Sequence, residues 1–304
     1  MAVQCPRPEL IADLESSWPR ASAAVHVAGH FSRFQIGTLP DDLQPWVERW
    51  NETTLDEQAM NSMRMLRVTR ASPALWYRIE SNLPDSAAQP GRLLVTGVFD
   101  QSSWVPIDRS HDNILFFLRP GAARAVLGKP AEAFANCRMT AREVFGDDGR
   151  QLEERLAALT TRIQRRELMA QFIRTRLYRY ARPVDRELVD CIRQMRHPLS
   201  LHTLREPHGW SSRQLERLCA AGVGMGLKRL SVLLRAGDAM RQACTLADPH
   251  WSELAADHGF YDQSHLTHAI SSVFGQTPAR FHREVRAGAQ WVDGMITFPG
   301  RVAS

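Results

Sequence analysis

The stretch from Trp251 to Phe281, WSELAADHGFYDQSHLTHAISSVFGQTPARF, constrains the fold of this chain more than any other. The run SELAADH reads as a short helix that stops at Gly259, the residue type best suited to the left-handed conformation that ends a helix. Ala255 and Ala256 keep its middle small enough for a second helix to cross closely. Tyr261-Asp262-Gln263-Ser264 opens the next helix, with Asp262 or Ser264 as the capping side chain. On a helical wheel, Leu266, Ala269, Ile270, Val273 and Phe274 gather on one side. Ser264, His265, Thr267, His268 and Ser271 fall on the other, and Gly275 and Pro278 end the helix. A helix, a tight glycine turn and a second helix with an apolar back and a hydrogen-bonding front can lie in a DNA major groove and address base edges.

The same stretch resembles the signature of the AraC/XylS family of bacterial transcription regulators. The match runs through Gly259, Phe260, Gln263, Ser264, Leu266, Phe274, Gly275, Thr277, Pro278 and Phe281 at fixed spacing. The resemblance implies two helix–turn–helix units joined by a connector helix, and it covers about Val184–Arg286. The upstream unit falls on PLSLHTLREPHGWSSRQLERLCAA, Pro198 to Ala221. There Leu201 and Leu204 precede Gly209, Ser211 can cap the next helix, and Leu215, Leu218 and Cys219 face away from Arg213, Glu216 and Arg217. The connector is expected over 227–242, carrying Leu230, Leu233, Leu234 and Met240. This unit departs from the family pattern in three places. Arg205 stands where a small residue is usual, His208 stands where an apolar one is usual, and Pro207 lies inside the first helix. Gly222, Gly224 and Gly226 are read as loosening the approach to the connector.

Carried over position by position, the DNA-facing residues of the first reading helix are Ser212, Arg213, Gln214 and Arg217. Those of the second are Gln263, Ser264, His265 and His268, with Thr267 on the same front. These residue types suit base recognition. Arg pairs with guanine and Gln with adenine through two hydrogen bonds, and hydroxyls donate or accept. Arg280, Arg283 and Arg286 come after the second unit and suit either phosphates or a solvated face.

The remainder of the chain divides by pattern. Up to about Arg119, the runs AVHVAGHF (24–31), RLLVTGVF (92–99) and NILFFLR (113–119) are short apolar or alternating segments between turn signals, as in a β-rich region. Residues 100–103 and 106–108 read as loops, and 41–65, rich in Glu, Gln, Met and Trp, is compatible with a helix. From 120 to 182 the pattern is helical. Pro120-Gly121 opens a short helix ended by Gly128. Leu152, Leu156, Leu159 and Ile163 then form a stripe that Leu168, Phe172 and Leu177 continue until Pro183, with Arg162, Arg165 and Arg166 interrupting it. That stripe suits packing on the first region, with a dimer contact as the second choice. Beyond it, Val184, Leu188, Cys191, Ile192 and Met195 make another stripe, His197-Pro198 breaks the chain, and Ser200 can cap the helix after the break.

The expected architecture is therefore α+β: a β-containing N-terminal domain with flanking helices and an all-α C-terminal domain of two helix–turn–helix units and a connector. The N-terminal effector-sensing or dimerisation region is placed at 1–182, β-rich to about 119 and helical over 120–182. The DNA-binding domain is placed at 183–304, with units at about 200–221 and 251–274.

Charge divides with the pattern. Residues 119–182 hold 14 basic and 7 acidic groups, against 10 and 14 before them and 14 and 12 after. All basic residues but Lys129 and Lys228 are Arg, and the formal net charge of +5 permits a polyanionic partner. No apolar run approaches the roughly 18 residues of a membrane span. The start, MAVQCPRPELIADLE, lacks the basic-then-apolar order of a secretory signal. Cys5, Cys137, Cys191, Cys219 and Cys244 are odd in number and contain no C-x-x-C, so neither a disulfide framework nor a cysteine zinc site is expected, and the cytoplasm is the expected compartment.

No G-x-S-x-G, P-loop or strand-linked G-x-G-x-x-G occurs, so no enzyme and no cofactor are expected. His265 and His268 have a spacing that can hold a metal but lack acidic or cysteine co-ligands, and are read as DNA-facing or surface histidines. Trp210 and Trp251 are assigned to core packing. The expected partners are double-stranded promoter DNA, RNA polymerase, a small-molecule effector and a second copy of the chain. The alternative is a helical protein-interaction module that has lost specific DNA binding.

Overall fold

The computed structural model describes residues 33–37, 39–57, 63–80, 91–105, 110–195, 206–287, 289–292 and 295–299. It is a mixed α/β chain with a sheet-rich N-terminal region and a helical C-terminal region. The expected strand at 24–31, the loop at 106–108, and the break and cap at 197–200 lie outside the described residues.

Eight strands precede the main helices: β1 Arg33–Gly37, β2 Val47–Leu55, β3 Met63–Arg67, β4 Ala74–Glu80, β5 Arg92–Thr96, β6 Ser103–Val105, β7 His111–Leu118 and β8 Arg138–Thr140. Six of them form an antiparallel sheet in the order β1-β2-β7-β4-β5-β8. The central strand, HDNILFFL, is apolar enough to be buried on both faces, and Phe116 and Leu118 are fully enclosed. Register sets Trp50 opposite Phe116, Glu52 opposite Ile114 and Thr54 opposite Asp112, so these six share one face of the sheet.

The helix expected over 41–65 is instead a turn followed by β2 and β3. The Glu, Met and Trp of this stretch favour a helix locally. Pairing of β2 with β1 and β7, and of β3 with β6 and a strand from the far end of the sequence, overrides that preference. Ser103, expected in a loop, begins β6.

Helices α1 Ala123–Leu127, α2 Ala141–Phe145, α3 Asp147–Ala158 and α4 Arg162–Tyr180 come next. Gly128 ends α1 at φ 76°, in the left-handed region. The stripe expected through Leu159 and Ile163 breaks between α3 and α4: Leu159 is extended, and Thr161 starts α4 with a reciprocal capping box to Gln164. The new helix resets the phase, so Ile163 is 46% exposed while Met169, Ala170 and Ile173 take the buried positions.

The arginines that interrupt the stripe hold the layer together. Arg166 donates to the buried carboxylate of Glu52 at 3.0 Å and lies over Trp50 at 4.1 Å. Arg162 reaches Asp112 at 2.5 Å and Thr54 Oγ1 at 2.9 Å. Arg165 donates to the terminal carbonyls of α3, Leu156 and Leu159, and Arg176 to those of α1, Val126 and Leu127.

The C-terminal region contains α5 Pro183–Gln194, α6 Ser212–Val223, α7 Leu227–Thr245, α8 Trp251–Asp257, α9 Gln263–Phe274 and α10 Pro278–Arg286. Their core includes Leu188, Leu215, Leu230, Leu266 and Phe281, and it is continuous with Leu66, Val68, Ala71 and Val98 of the sheet region. The chain then forms two further strands, β9 Gln290–Val292 and β10 Met295–Pro299. They complete a second sheet in the order β6-β3-β10-β9, with Met295 opposite Arg67 and Pro299 opposite Met63. The local pattern at 290–299 does not announce strands, because the partner that makes them strands lies at the other end of the sequence.

Candidate nucleic-acid interface

The second helix–turn–helix element is α8 and α9. Gly259 sits between them at φ 69°, where a side chain would be strained. The turn is closed by Gly259 N donating to Ala256 O at 3.1 Å and Phe260 N to Ala255 O at 2.8 Å. Phe260 is buried beneath the turn, and Arg235 of α7 clamps it from the other side. The Arg235 guanidinium donates to Gly259 O at 2.6 Å and lies over the Phe260 ring at 4.8 Å. Asp262 is the cap of α9, its carboxylate accepting from His265 N at 2.7 Å.

In α9 the buried residues are Leu266, Ala269, Ile270, Val273 and Phe274, the apolar side of the wheel. Gln263, Ser264, His265 and His268 are exposed and Thr267 is half-buried. His265 is held in place: Tyr261 N donates to its Nδ1 at 3.3 Å, and its ring meets Phe260 edge-on at 5.3 Å. With Nδ1 accepting, the neutral ring carries its proton on Nε2, so the outward nitrogen is a donor. Such a donor suits the acceptor atoms of a purine edge or a phosphate oxygen. Tyr261 beside it is 92% exposed.

Of the first unit, the described part begins at residue 206, so Leu201, Leu204 and Arg205 lie outside it. Glu206–His208 form one turn of 3-10 helix around Pro207, and His208 stacks on Trp210 at 4.5 Å. Trp210 and Trp251 both pack on the helical core, half-buried. Gly209 turns at φ 62°, and Ser211 caps α6. Ser212, Arg213, Gln214 and Arg217 are all exposed on α6, while Leu215 and Cys219 are buried behind them. Gln214 differs from the others, because its amide oxygen accepts from Ser211 N at 2.7 Å in a capping box. Its NH2 group alone is left to face outward.

The glycines before the connector serve packing. A Cβ on Gly222 would lie 2.4 Å from Leu188 Cδ2, so its absence lets α6 approach α5. Gly224 ends α6 at φ 84°.

Sequence reasoning passed over the polar groups that fix the two units to each other. Glu216 accepts from Leu227 N at 3.3 Å, placing a carboxylate at the N-terminus of α7, where the helix dipole favours it. Arg229 donates to Ser272 Oγ at 2.8 Å and to Asp100 O of the sheet region at 2.6 Å. The available signal was the placing of Arg229 and Arg235 among the leucines of the connector, where a charge needs a partner. Arg280, Arg283 and Arg286 lie on α10; Arg280 pairs with Glu284 at 3.2 Å.

The described residues thus define a two-region α/β chain whose helical part presents polar, solvent-facing helix fronts on rigid apolar backs. No protein-family model matches the chain, and no curated protein does. Among solved structures, one of ToxT from Vibrio cholerae aligns with 9% identity over 73% of this chain and 90% of that chain, at a TM-score of 0.35. An apo form of a ToxT variant from the same organism aligns with 8% identity over 82% and 97%, at 0.35. An unsaturated-fatty-acid-bound form of wild-type ToxT aligns with 10% identity over 73% and 87%, at 0.32. Among the described residues, no helix is long and apolar enough to cross a membrane, and no cluster of metal-ligating side chains occurs.

Proposed function

We propose that the chain is a sequence-specific DNA-binding transcription regulator of the AraC/XylS type. One observation carries this reading: α9 exposes Gln263, Ser264, His265 and His268 while burying its entire apolar face, on a turn fixed by Gly259, Arg235 and Asp262. A reading helix needs a rigid back and an unobstructed hydrogen-bonding front. In this reading α9 and α6 each enter a major groove, Ser212, Arg213 and Arg217 contribute from α6, and Thr267 supports the α9 front. Residues 183–304 bind the promoter. Residues 1–182 sense a small-molecule effector or hold a second copy of the chain. RNA polymerase is the partner through which binding becomes transcriptional control, and the cytoplasm is the compartment.

The second reading, a helical protein-interaction module, is favoured by the engagement of the Gln214 amide in its own cap. Selection of fragments of the source genome by the purified full chain, at two salt concentrations, separates the two. Enrichment of a shared short site that survives added salt supports the regulator. Retention that is blind to sequence and lost with salt leaves phosphate attraction alone and favours the module.

A further inference from the structure

We propose that Tyr261 anchors the second reading helix to the DNA backbone, its hydroxyl donating to a phosphate oxygen at the edge of the groove. This role presupposes the proposed DNA-binding function. Tyr261 lies outside the residues that match the AraC/XylS signature.

Tyr261 stands directly before Asp262, the cap of α9, and is 92% exposed. An apolar or aromatic side chain at this position often folds back onto the residue four places beyond the cap. Here that residue, Leu266, is fully buried in the helical core, and Phe260 covers the turn instead. Tyr261 is left facing solvent, yet its main chain is fixed. Its N–H donates to His265 Nδ1 at 3.3 Å, beside a turn that Arg235 holds through Gly259 O. Its hydroxyl bonds to none of the described residues. A large side chain is thus projected from a rigid base, with its donor unused.

The helix that Tyr261 precedes lacks the usual anchors. Half to two-thirds of the hydrogen bonds between proteins and DNA go to phosphate and sugar, and they fix how a reading helix sits. Lys and Arg are the common donors, and α9 contains neither. A helix N-terminus is another common phosphate site. In α9 it is taken by the chain's own carboxylate, Asp262, which accepts from His265 N at 2.7 Å. The arginines of α10 follow the C-terminal end of α9. Tyr261 stands at the other end, the one whose residues approach base edges. A phenol reaches farther from the main chain than an aspartate carboxylate, so the hydroxyl meets a phosphate beyond the charge of Asp262. Tyrosine is among the side chains that make such contacts.

The phenol is neutral, so its bond to a phosphate displaces no counterion. It adds affinity by the same factor at every salt concentration and carries no sequence information of its own.

The test is titration of the full chain with the DNA fragment it selects from the source genome, across a series of salt concentrations. Tyr261→Phe, which removes the hydroxyl alone, should lower affinity roughly three- to tenfold at each concentration, and Tyr261→Ala at least as much. The slope of log affinity against log salt should stay that of the wild type, whereas loss of a cationic contact would lower it by about one. Preference among point-mutated fragments should also be unchanged. Tyr178→Phe, at a tyrosine just as exposed but on α4, should bind as the wild type does. Wild-type affinity in both Tyr261 variants overturns the anchor; loss of affinity by Gln263→Ala in the same series then leaves the reading helix standing without it. A changed preference at one base pair in Tyr261→Phe also overturns it, by making Tyr261 a base reader. If the wild type selects no fragment, the anchor falls together with the DNA-binding function.

Discussion

At the scale of single residues, the proposed DNA reading turns on a few side chains whose neighbours leave one atom facing outward. His265 presents Nε2 because Tyr261 N occupies Nδ1. Replacing His265 or Gln263 with Ala should therefore weaken binding to the selected DNA site by about 1–3 kcal/mol per lost base contact and relax the sequence preference. Binding titrations against point-mutated sites check this, and unchanged specificity in both variants would remove α9 from the groove. Arg217→Ala should cost more affinity than Arg205→Ala; the reverse order would mean that the first unit is placed out of register. The apolar and polar sides of α9 were legible in the sequence, because a helix repeats at short range and its period sorts Leu266 and Ile270 from Ser264 and His268. The capture of Gln214 by Ser211 was not, because the same amide serves equally well in a cap or on a base. Burial also tunes the thiols: Cys191 is pushed up to about 11 and Cys219 to about 12, from an ordinary 9.0. Well below pH 9.0 both thiols are protonated in the folded and the unfolded chain. As pH rises beyond that, the unfolded chain loses its protons first, so stability drains away toward pH 11–12. Melting temperatures across this range should decline more steeply in the wild type than in a Cys191→Ala/Cys219→Ala variant. Parallel curves would assign the alkaline loss to other groups.

At the scale of elements, the sheet and its covering helix are joined by a buried ion pair. Glu52 is 1% exposed and depends on Arg166. Arg166→Met should cost roughly 3–5 kcal/mol by stranding a carboxylate, whereas Arg166→Met with Glu52→Leu should recover most of that loss. Urea unfolding of the single and double variants measures the difference. Equal loss in both would show that packing around Trp50, and not charge, dominates the contact. The helix-start signals at Thr161 and Ser211 could be read locally, since a cap and its partner stand three residues apart. β2 and β3 could not, because their composition favours a helix and strand pairing, much of it with strands remote in sequence, makes them extended. The sheet-rich N-terminal region was thus legible as a class but not strand by strand.

At the scale of the whole molecule, the two regions are interleaved more deeply than the division by sequence pattern implies. Val68 and Val98 share a core with the helices, Arg229 bonds to Asp100 O, and β10 lies beside β3. Removing residues 289–304 should therefore lower the melting temperature of the sheet region as well as trim the C-terminal end. It should also raise light scattering on heating, as the bared edge of β3 finds other strands. A truncated chain that melts and scatters like the full one would make the hairpin dispensable. The pairing of β3 with β10 also sets an order of events at the ribosome. β3 leaves the exit tunnel early, yet β10 on its other side is translated only after every described helix. The second sheet closes last, so a nascent chain carries an open strand edge through most of its synthesis, when chaperone protection matters most.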